Sequence, residues 1–180
     1  NLPSNVDDRT WNMWFKWDGD ANVVGDLMAQ GDWTSTVVGV RILAGIPCIT
    51  FIGTPYYVLA TPAFNVYNVG YSGPQITPNV WYMLTFTSDT ASQTLKFYLD
   101  GVLQDSGAFG SWTGSGSGAY YFGSREYDSG EGFPDGTMVD EIGIFNRELT
   151  AQEIMAIYTA HGYGTAGGGS ASAVVVSKAI

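Results

Sequence analysis

Positive charge is scarce in this sequence. Seven Lys and Arg residues face 17 Asp and Glu residues among 180, which gives a formal net charge of −10. A nucleic-acid-binding protein needs a basic surface to neutralise phosphates, so this composition argues against DNA or RNA as a partner. No apolar run comes near the roughly 20 residues that a membrane-spanning helix needs, and we expect no membrane span.

Cysteine and histidine each occur once. Cys48 has no partner for an intrachain disulfide, which excludes a disulfide-stapled miniprotein. We interpret it as a small buried residue of a strand. A Cys–His nucleophile pair would require His161, which we interpret instead as the C-terminal cap of a helix. Phosphate-binding glycine motifs, zinc-ligand spacings and Ser-His-Asp arrangements are also missing.

Most of the chain consists of short apolar runs separated by Gly and Pro. Apolar residues alternate from Trp11 to Trp17, which predicts a strand with one face in a core. We also place Trp81 in the core. The dipeptide Asp100-Gly101 predicts a two-residue hairpin. Further strands are predicted over 37–43, 48–52, 56–60, 80–87, 94–99, 102–104, 119–122 and 138–145.

One segment has the pattern of a helix. Thr150 and Glu153 form a capping box, and Ile154, Ile157 and Tyr158 form one apolar face before Gly162 ends the segment. Many short strands with a single helix predict an all-β sandwich or jelly roll.

The composition changes after this helix. Residues 162–172 contain five glycines with Ser, Thr and Ala, which is typical of a flexible linker. Residues 173–180 (AVVVSKAI) are rich in valine, and we expect them to form a strand that pairs with another one. We therefore divide the chain into a domain over 1–161, a linker over 162–172 and a terminal strand over 173–180.

Several segments carry a family resemblance. Residues 81–87 and 95–101 resemble the W-x-h-x-h-T and L-Y-x-D-G core of laminin-G-like domains, where h is hydrophobic. Residues 139–154 resemble the I-D-E-V-x-I-Y-N-R-x-L-S-x-x-E-I signature of the same family. The resemblance implies a concanavalin A-like jelly roll over 1–161. This fold has two antiparallel sheets and one short C-terminal helix, to which this chain adds a terminal strand extension.

The beginning of the chain departs from that pattern. Family members usually have a strand before the segment that Thr10–Lys16 resembles, and it pairs near the strand carrying Asp140 and Glu141. We expect this strand to be missing here, which leaves an open edge. The terminal strand, with Val174, Val175, Val176 and Ile180, is expected to fill that edge in its own subunit or in a neighbour.

Filling by a neighbour would produce a homo-oligomer or a larger assembly. Under this interpretation the protein is a non-catalytic structural or adhesive subunit on a virion or a prokaryotic cell surface. The alternative is an extracellular carbohydrate-binding module. Its candidate sugar-stacking residues occur in polar, loop-like settings, where structural packing is the competing explanation: Trp33, Trp112, Tyr56, Tyr57 and Tyr127.

Several acidic residues are candidate ligands for a metal ion. The resemblance implies that Asp140 and Glu141 help to hold a structural Ca²⁺, although the other usual ligands come from the missing strand. Asp18 and Asp20 add oxygen ligands of the kind that Ca²⁺ prefers, and solvated acidic turns are the alternative.

A second acidic pattern runs from Glu126 through Asp128 to Glu131 and has the spacing of a glucanase catalytic strand. Ser and Gly surround it, which indicates an acidic loop. We therefore expect no enzyme activity.

Overall fold

The computed structural model describes residues 7–18, 24–30, 37–43, 46–52, 57–60, 76–108, 120–122 and 136–161. These residues form two five-stranded antiparallel sheets and one helix. The strands are β1 (Arg9–Lys16), β2 (Val24–Gln30), β3 (Val37–Leu43), β4 (Ile46–Ile52), β5 (Tyr57–Ala60), β6 (Trp81–Asp89), β7 (Thr94–Leu99), β8 (Val102–Ala108), β9 (Tyr120–Phe122) and β10 (Met138–Phe145), followed by helix α1 (Ala151–His161). Sheet A has the order β10-β1-β6-β7-β8, and sheet B has the order β5-β4-β3-β2-β9.

This architecture confirms the predicted all-β jelly roll with one short C-terminal helix. Strands β3, β7 and β10 have the predicted bounds. Strand β2 was not predicted, because Gly25 and Asp26 interrupt its hydrophobic pattern. It forms because it pairs with β3 on one side and with β9 on the other.

The main core lies between the two sheets. Trp11, Met13 and Phe15 project from β1 of sheet A and are almost completely buried. Leu27 and Met28 of sheet B pack in the same cluster. The predicted alternation along β1 is therefore correct, and it turns every second side chain toward sheet B.

The opposite face of sheet A is also covered. Trp14 is fully buried, and its ring stacks on that of Tyr158 of α1 with centroids 5.5 Å apart. Trp81 packs against the edge of this second cluster, where the Nζ of Lys16 lies 5.5 Å from its ring. Trp81, which is predicted to lie in the core, is partly buried and packs against this second core cluster beneath the helix rather than between the two sheets.

The hairpin between β7 and β8 has the predicted turn. Asp100 and Gly101 both have positive φ, 52° and 76°. The Asp100 Oδ1 accepts a hydrogen bond from the Met83 amide, and the Asp100 amide donates to the Met83 carbonyl, both at 2.8 Å. A Cβ at Gly101 would lie 3.0 Å from the Cε of Met155. Glycine is thus required here both by the turn and by the helix above it.

Helix α1 begins with the predicted capping box. The Thr150 amide donates to Glu153 at 2.8 Å, and the Glu153 amide donates to the Thr150 hydroxyl at 3.3 Å. Arg147 also makes a bidentate ion pair with Glu153, at 2.6 and 2.9 Å. Leu149 and Ile154 flank the cap and are buried against Trp14, which fixes the helix on sheet A.

We predict that this cap makes stability depend on acid pH. Its hydrogen bonds, from Arg147 first and then Thr150, lower the pKa of Glu153 from 4.5 to about 2. Because the folded-state pKa is lowered, the carboxylate stabilises the fold above the ordinary pKa, and this contribution is lost as the pH falls toward 2. Glu153→Gln should lower the melting temperature at neutral pH and have progressively less effect below pH 4.5.

Thermal denaturation followed by circular dichroism measures this difference. Gln152→Ala, on an exposed neighbour in the same turn, is the matched control and should show no such pH dependence. A melting-temperature difference for Glu153→Gln that stays constant down to pH 2 would contradict the assignment.

Candidate ligand-binding site

One end of sheet B brings together several strand ends. Gln30 at the end of β2 pairs with Tyr120 at the start of β9. Val37 at the start of β3 pairs with Ile52 at the end of β4, and Tyr57 begins β5 beside that end. We term this the Gln30 end. The segments that leave or enter strands here are 31–36, 53–56 and 109–119.

Most of the predicted sugar-stacking residues adjoin this end. Trp33, Tyr56 and Trp112 belong to the three connecting segments and lie outside the described residues. Tyr57 is the first residue of β5. Tyr127 also lies outside the described residues and follows Phe122, at the opposite end of β9. The binding role of all five stays a prediction.

A buried arginine lies at the base of the Gln30 end. Arg9 begins β1, has no exposed surface, and donates a hydrogen bond from Nη1 to the Gln30 Oε1 on the facing sheet. Its Nε donates to the Asp7 carbonyl at 3.3 Å. The guanidinium lies 5.9 Å from the Trp11 ring, which meets the Tyr120 ring edge-on at 5.6 Å. These contacts join the first strand of sheet A to two strands of sheet B.

Burial shifts the pKa values of two side chains in this cluster. It lowers the pKa of Arg9 from 12.5 to about 10, and it raises the pKa of the Tyr120 hydroxyl. Arg9 therefore keeps its charge at neutral pH inside the sandwich. Arg9 is not among the residues that the sequence predicts for a site. The sequence pattern nevertheless predicts that its side chain faces inward, because Arg9 continues the alternation that places Trp11 and Met13 in the core.

One row of paired residues runs across sheet B through Ala29. Register places Ala29 and Tyr121 in one row across the sheet with Gly39, Thr50 and Val58. Ala29 alternates with the core-facing Met28 of β2, so its side chain lies on the face opposite the core. Ala29 is fully buried.

The structure does not gather the predicted calcium ligands that it describes. The Asp140 Oδ1 accepts a hydrogen bond from the Glu141 amide at 2.8 Å, and the Glu141 Oε1 lies 3.9 Å from the His161 Nδ1. The Asp18 carboxylate packs against Gly136, where a Cβ would collide with it. Within the described ranges, no group of three or more His, Cys, Asp or Glu side chains could hold a metal ion.

Asp20 lies outside the described residues, as do Glu126, Asp128 and Glu131 of the glucanase-like pattern. Calcium binding stays a prediction. In the part of the chain that the structure describes, no helix is long and apolar enough to cross a membrane.

Comparison with known families shows to which superfamily this chain belongs. The sequence matches a laminin-G-like family of the concanavalin A-like lectin/glucanase superfamily over residues 1–155. The chain belongs to this superfamily. The suspected laminin-G-like resemblance is thereby confirmed, and the match ends within α1. A comparison with curated protein sequences found no match.

Two solved structures of similar fold are described with a bound sugar. Domain 4 of the extracellular GH43 arabinanase AbnA from Geobacillus stearothermophilus, in complex with arabinotriose, superposes with a TM-score of 0.66 at 18% identity, covering 87% of this chain and 68% of that one. The CBM40 of Ruminococcus gnavus IT-sialidase, bound to alpha2,3 sialyllactose, has a TM-score of 0.64 at 14% identity, covering 85% and 83%.

A heptameric SAP-like pentraxin from Limulus polyphemus also matches. Its TM-score is 0.61 at 13% identity, covering 87% of this chain and 71% of that one. At such identities the three structures establish the fold that this superfamily member adopts.

We predict that Arg9 and Gln30 depend on each other. Gln30→Leu removes an acceptor from a buried guanidinium and should cost about 1–3 kcal/mol of unfolding free energy. Combining it with Arg9→Met replaces the buried polar pair by apolar groups and should recover part of the loss. Urea denaturation of both single variants and the double variant measures the coupling. Strictly additive effects would contradict the interaction.

We also predict that the chain binds Ca²⁺ through Asp140. Calorimetric titration with Ca²⁺ should give a heat of binding for the unmodified chain that is lost in Asp140→Ala, because the carboxylate supplies hard oxygen ligands. Asp105→Ala, on the far edge strand β8, is the control. Absence of a heat of binding from the unmodified chain would contradict the prediction of calcium binding.

Proposed function

We propose that this chain is a non-catalytic carbohydrate-binding module that holds its sugar at the Gln30 end of sheet B. The observation that carries the proposal is the superfamily match together with the strand ends that meet at Gln30. Two solved relatives of the same fold are described with bound sugars, arabinotriose and sialyllactose. These relatives favour a binding module over the structural virion or cell-surface subunit.

The Gln30 end has the chemistry that such a site needs. Sugar sites combine apolar, often aromatic surfaces with a few fixed polar groups. Four of the predicted aromatic residues belong to β5 or to segments that join strands at this end, and the contacts of Arg9 with Gln30 and of Trp11 with Tyr120 hold the ends of β2 and β9 against β1. A rigid base lowers the entropic cost of ordering a binding surface when the ligand arrives.

The net charge of the chain indicates whether its sugar ligand is neutral or acidic. At −10 the chain repels anionic ligands at long range, and Arg9, the buried cation at this end, has no exposed surface. We therefore infer a neutral oligosaccharide rather than an acidic one. Extracellular placement follows from this proposal, since the arabinanase relative is described as extracellular.

We predict that the chain binds neutral oligosaccharides in preference to sialyllactose. Calorimetry with a neutral panel that includes arabinotriose should show binding. Trp33→Ala and Trp112→Ala should each weaken affinity about 10-fold or more, as expected when a stacking aromatic residue is removed. Tyr127→Ala, at the opposite end of β9, is the matched control and should bind normally.

Two results would contradict this function. One is the absence of binding to any neutral oligosaccharide at millimolar concentration. The other is an equal loss of affinity in Tyr127→Ala, which would move the site away from the Gln30 end. Light scattering without ligand adds a separate comparison, because a structural subunit should be oligomeric and a binding module monomeric.

A further inference from the structure

We propose that residues 173–180 add as a strand to β10 of the same molecule, extending sheet A at its edge. This inference is independent of the proposed sugar binding. It assigns an occupant to the open edge and decides between the two partners that the sequence left open.

Strand β10 is an edge strand in the described part of the chain. It stands last in the order of sheet A and pairs with β1 on one side. The other edge strand of that sheet, β8, contacts β5 of sheet B. An edge strand presents backbone donors and acceptors to any further strand. Two apolar side chains on β10 are also exposed, Met138 by 53% and Ile142 by 41%.

A bulge restricts which part of β10 can pair. The register with β1 shifts between Asn12 and Trp14, and Glu141 opposite this shift has φ of 49°. A bulge twists an edge strand and interrupts its row of hydrogen-bonding groups, which disfavours pairing with a long strand of another molecule. The regular half of β10 beyond the bulge is Gly143–Phe145, and the exposed Ile142 lies in the bulge next to Glu141. We place the added strand along this half.

The course of the chain delivers the segment to this edge. The last residue of α1, His161, has its Nδ1 3.9 Å from the Oε1 of Glu141, so the chain leaves the helix beside β10. Eleven residues, 162–172, then precede the segment. Extended, they reach roughly 36–40 Å, which exceeds the length of β10. A short tether also gives an effective concentration of about millimolar, so the molecule's own edge outcompetes that of a neighbour.

The composition of the segment fits the edge. Val174, Val175 and Val176 favour extended backbone and would cover the exposed Ile142. Lys178 is the only charged side chain of the segment, whereas β10 carries Asp140 and Glu141. The family match ends at residue 155, so this segment lies beyond the part of the chain that the match covers.

Paired cysteines test the proposal in the full-length chain. With Cys48→Ser as background, Ile142→Cys is combined in turn with Val174→Cys, Val175→Cys and Val176→Cys. Mild oxidation should give an intramolecular disulfide in at least one combination, seen as a monomer by non-reducing electrophoresis and mass spectrometry. The matched control replaces Ile142→Cys by Val102→Cys, which is 54% exposed on the opposite edge strand and should form no such disulfide.

Other outcomes overturn the proposal. A disulfide-linked dimer would assign the edge to a second copy of the chain. Equal cross-linking at Val102, or none at Ile142, would show that the segment does not select β10.

Hydrogen exchange provides a second measurement on the intact chain. Val174→Pro combined with Val176→Pro removes two amide donors and should speed exchange at residues 142–145 by roughly 10-fold, while the buried amides of β6 stay protected as the control for folding. Unchanged exchange along 142–145 would mean that something else, such as residues 1–6, covers the edge.

Discussion

Strand β1 is the element on which the rest of the structure depends, because both of its faces are buried. One face packs through Trp11, Met13 and Phe15 against sheet B. The other packs through Trp14 against α1, with Thr10 accepting from the Leu149 amide at 2.8 Å and donating to the Arg147 carbonyl at 2.9 Å. Since β10 and β6 also pair with its edges, β1 touches every layer of the domain.

The polar contacts at the start of β1 connect this core to the candidate site. Arg9 continues the inward-facing series of side chains, and its bond to Gln30 fixes the position of β2 relative to sheet A. Strand β2 in turn sets the register of β3 and β9. The strand ends that flank the predicted aromatic residues are therefore positioned from within the sandwich, as a preorganised binding surface requires.

The opposite side of β1 positions the C-terminal region. The capping box and the Arg147–Glu153 ion pair start α1 at one end of sheet A. Burial of Ile154 and the stacking of Tyr158 on Trp14 then direct the helix so that His161 reaches Glu141 of β10. A left-handed residue such as Glu141 costs about 1–3 kcal/mol, and it persists where the surrounding packing determines the backbone.

The sequence by itself determined the features that rest on local chemistry. Alternation marked the strands, Asp100-Gly101 marked the hairpin, and Thr150 with Glu153 marked the start of the helix, since each depends on residues a few positions apart. It did not reveal β2, the bulge at Glu141 or the position of Trp81 beneath the helix. It also did not show that Arg9 meets Gln30 or that three connecting segments share one end of sheet B. Those features depend on which strands become neighbours. A period of two tells which face a side chain takes, but only tertiary packing decides what lies opposite that face.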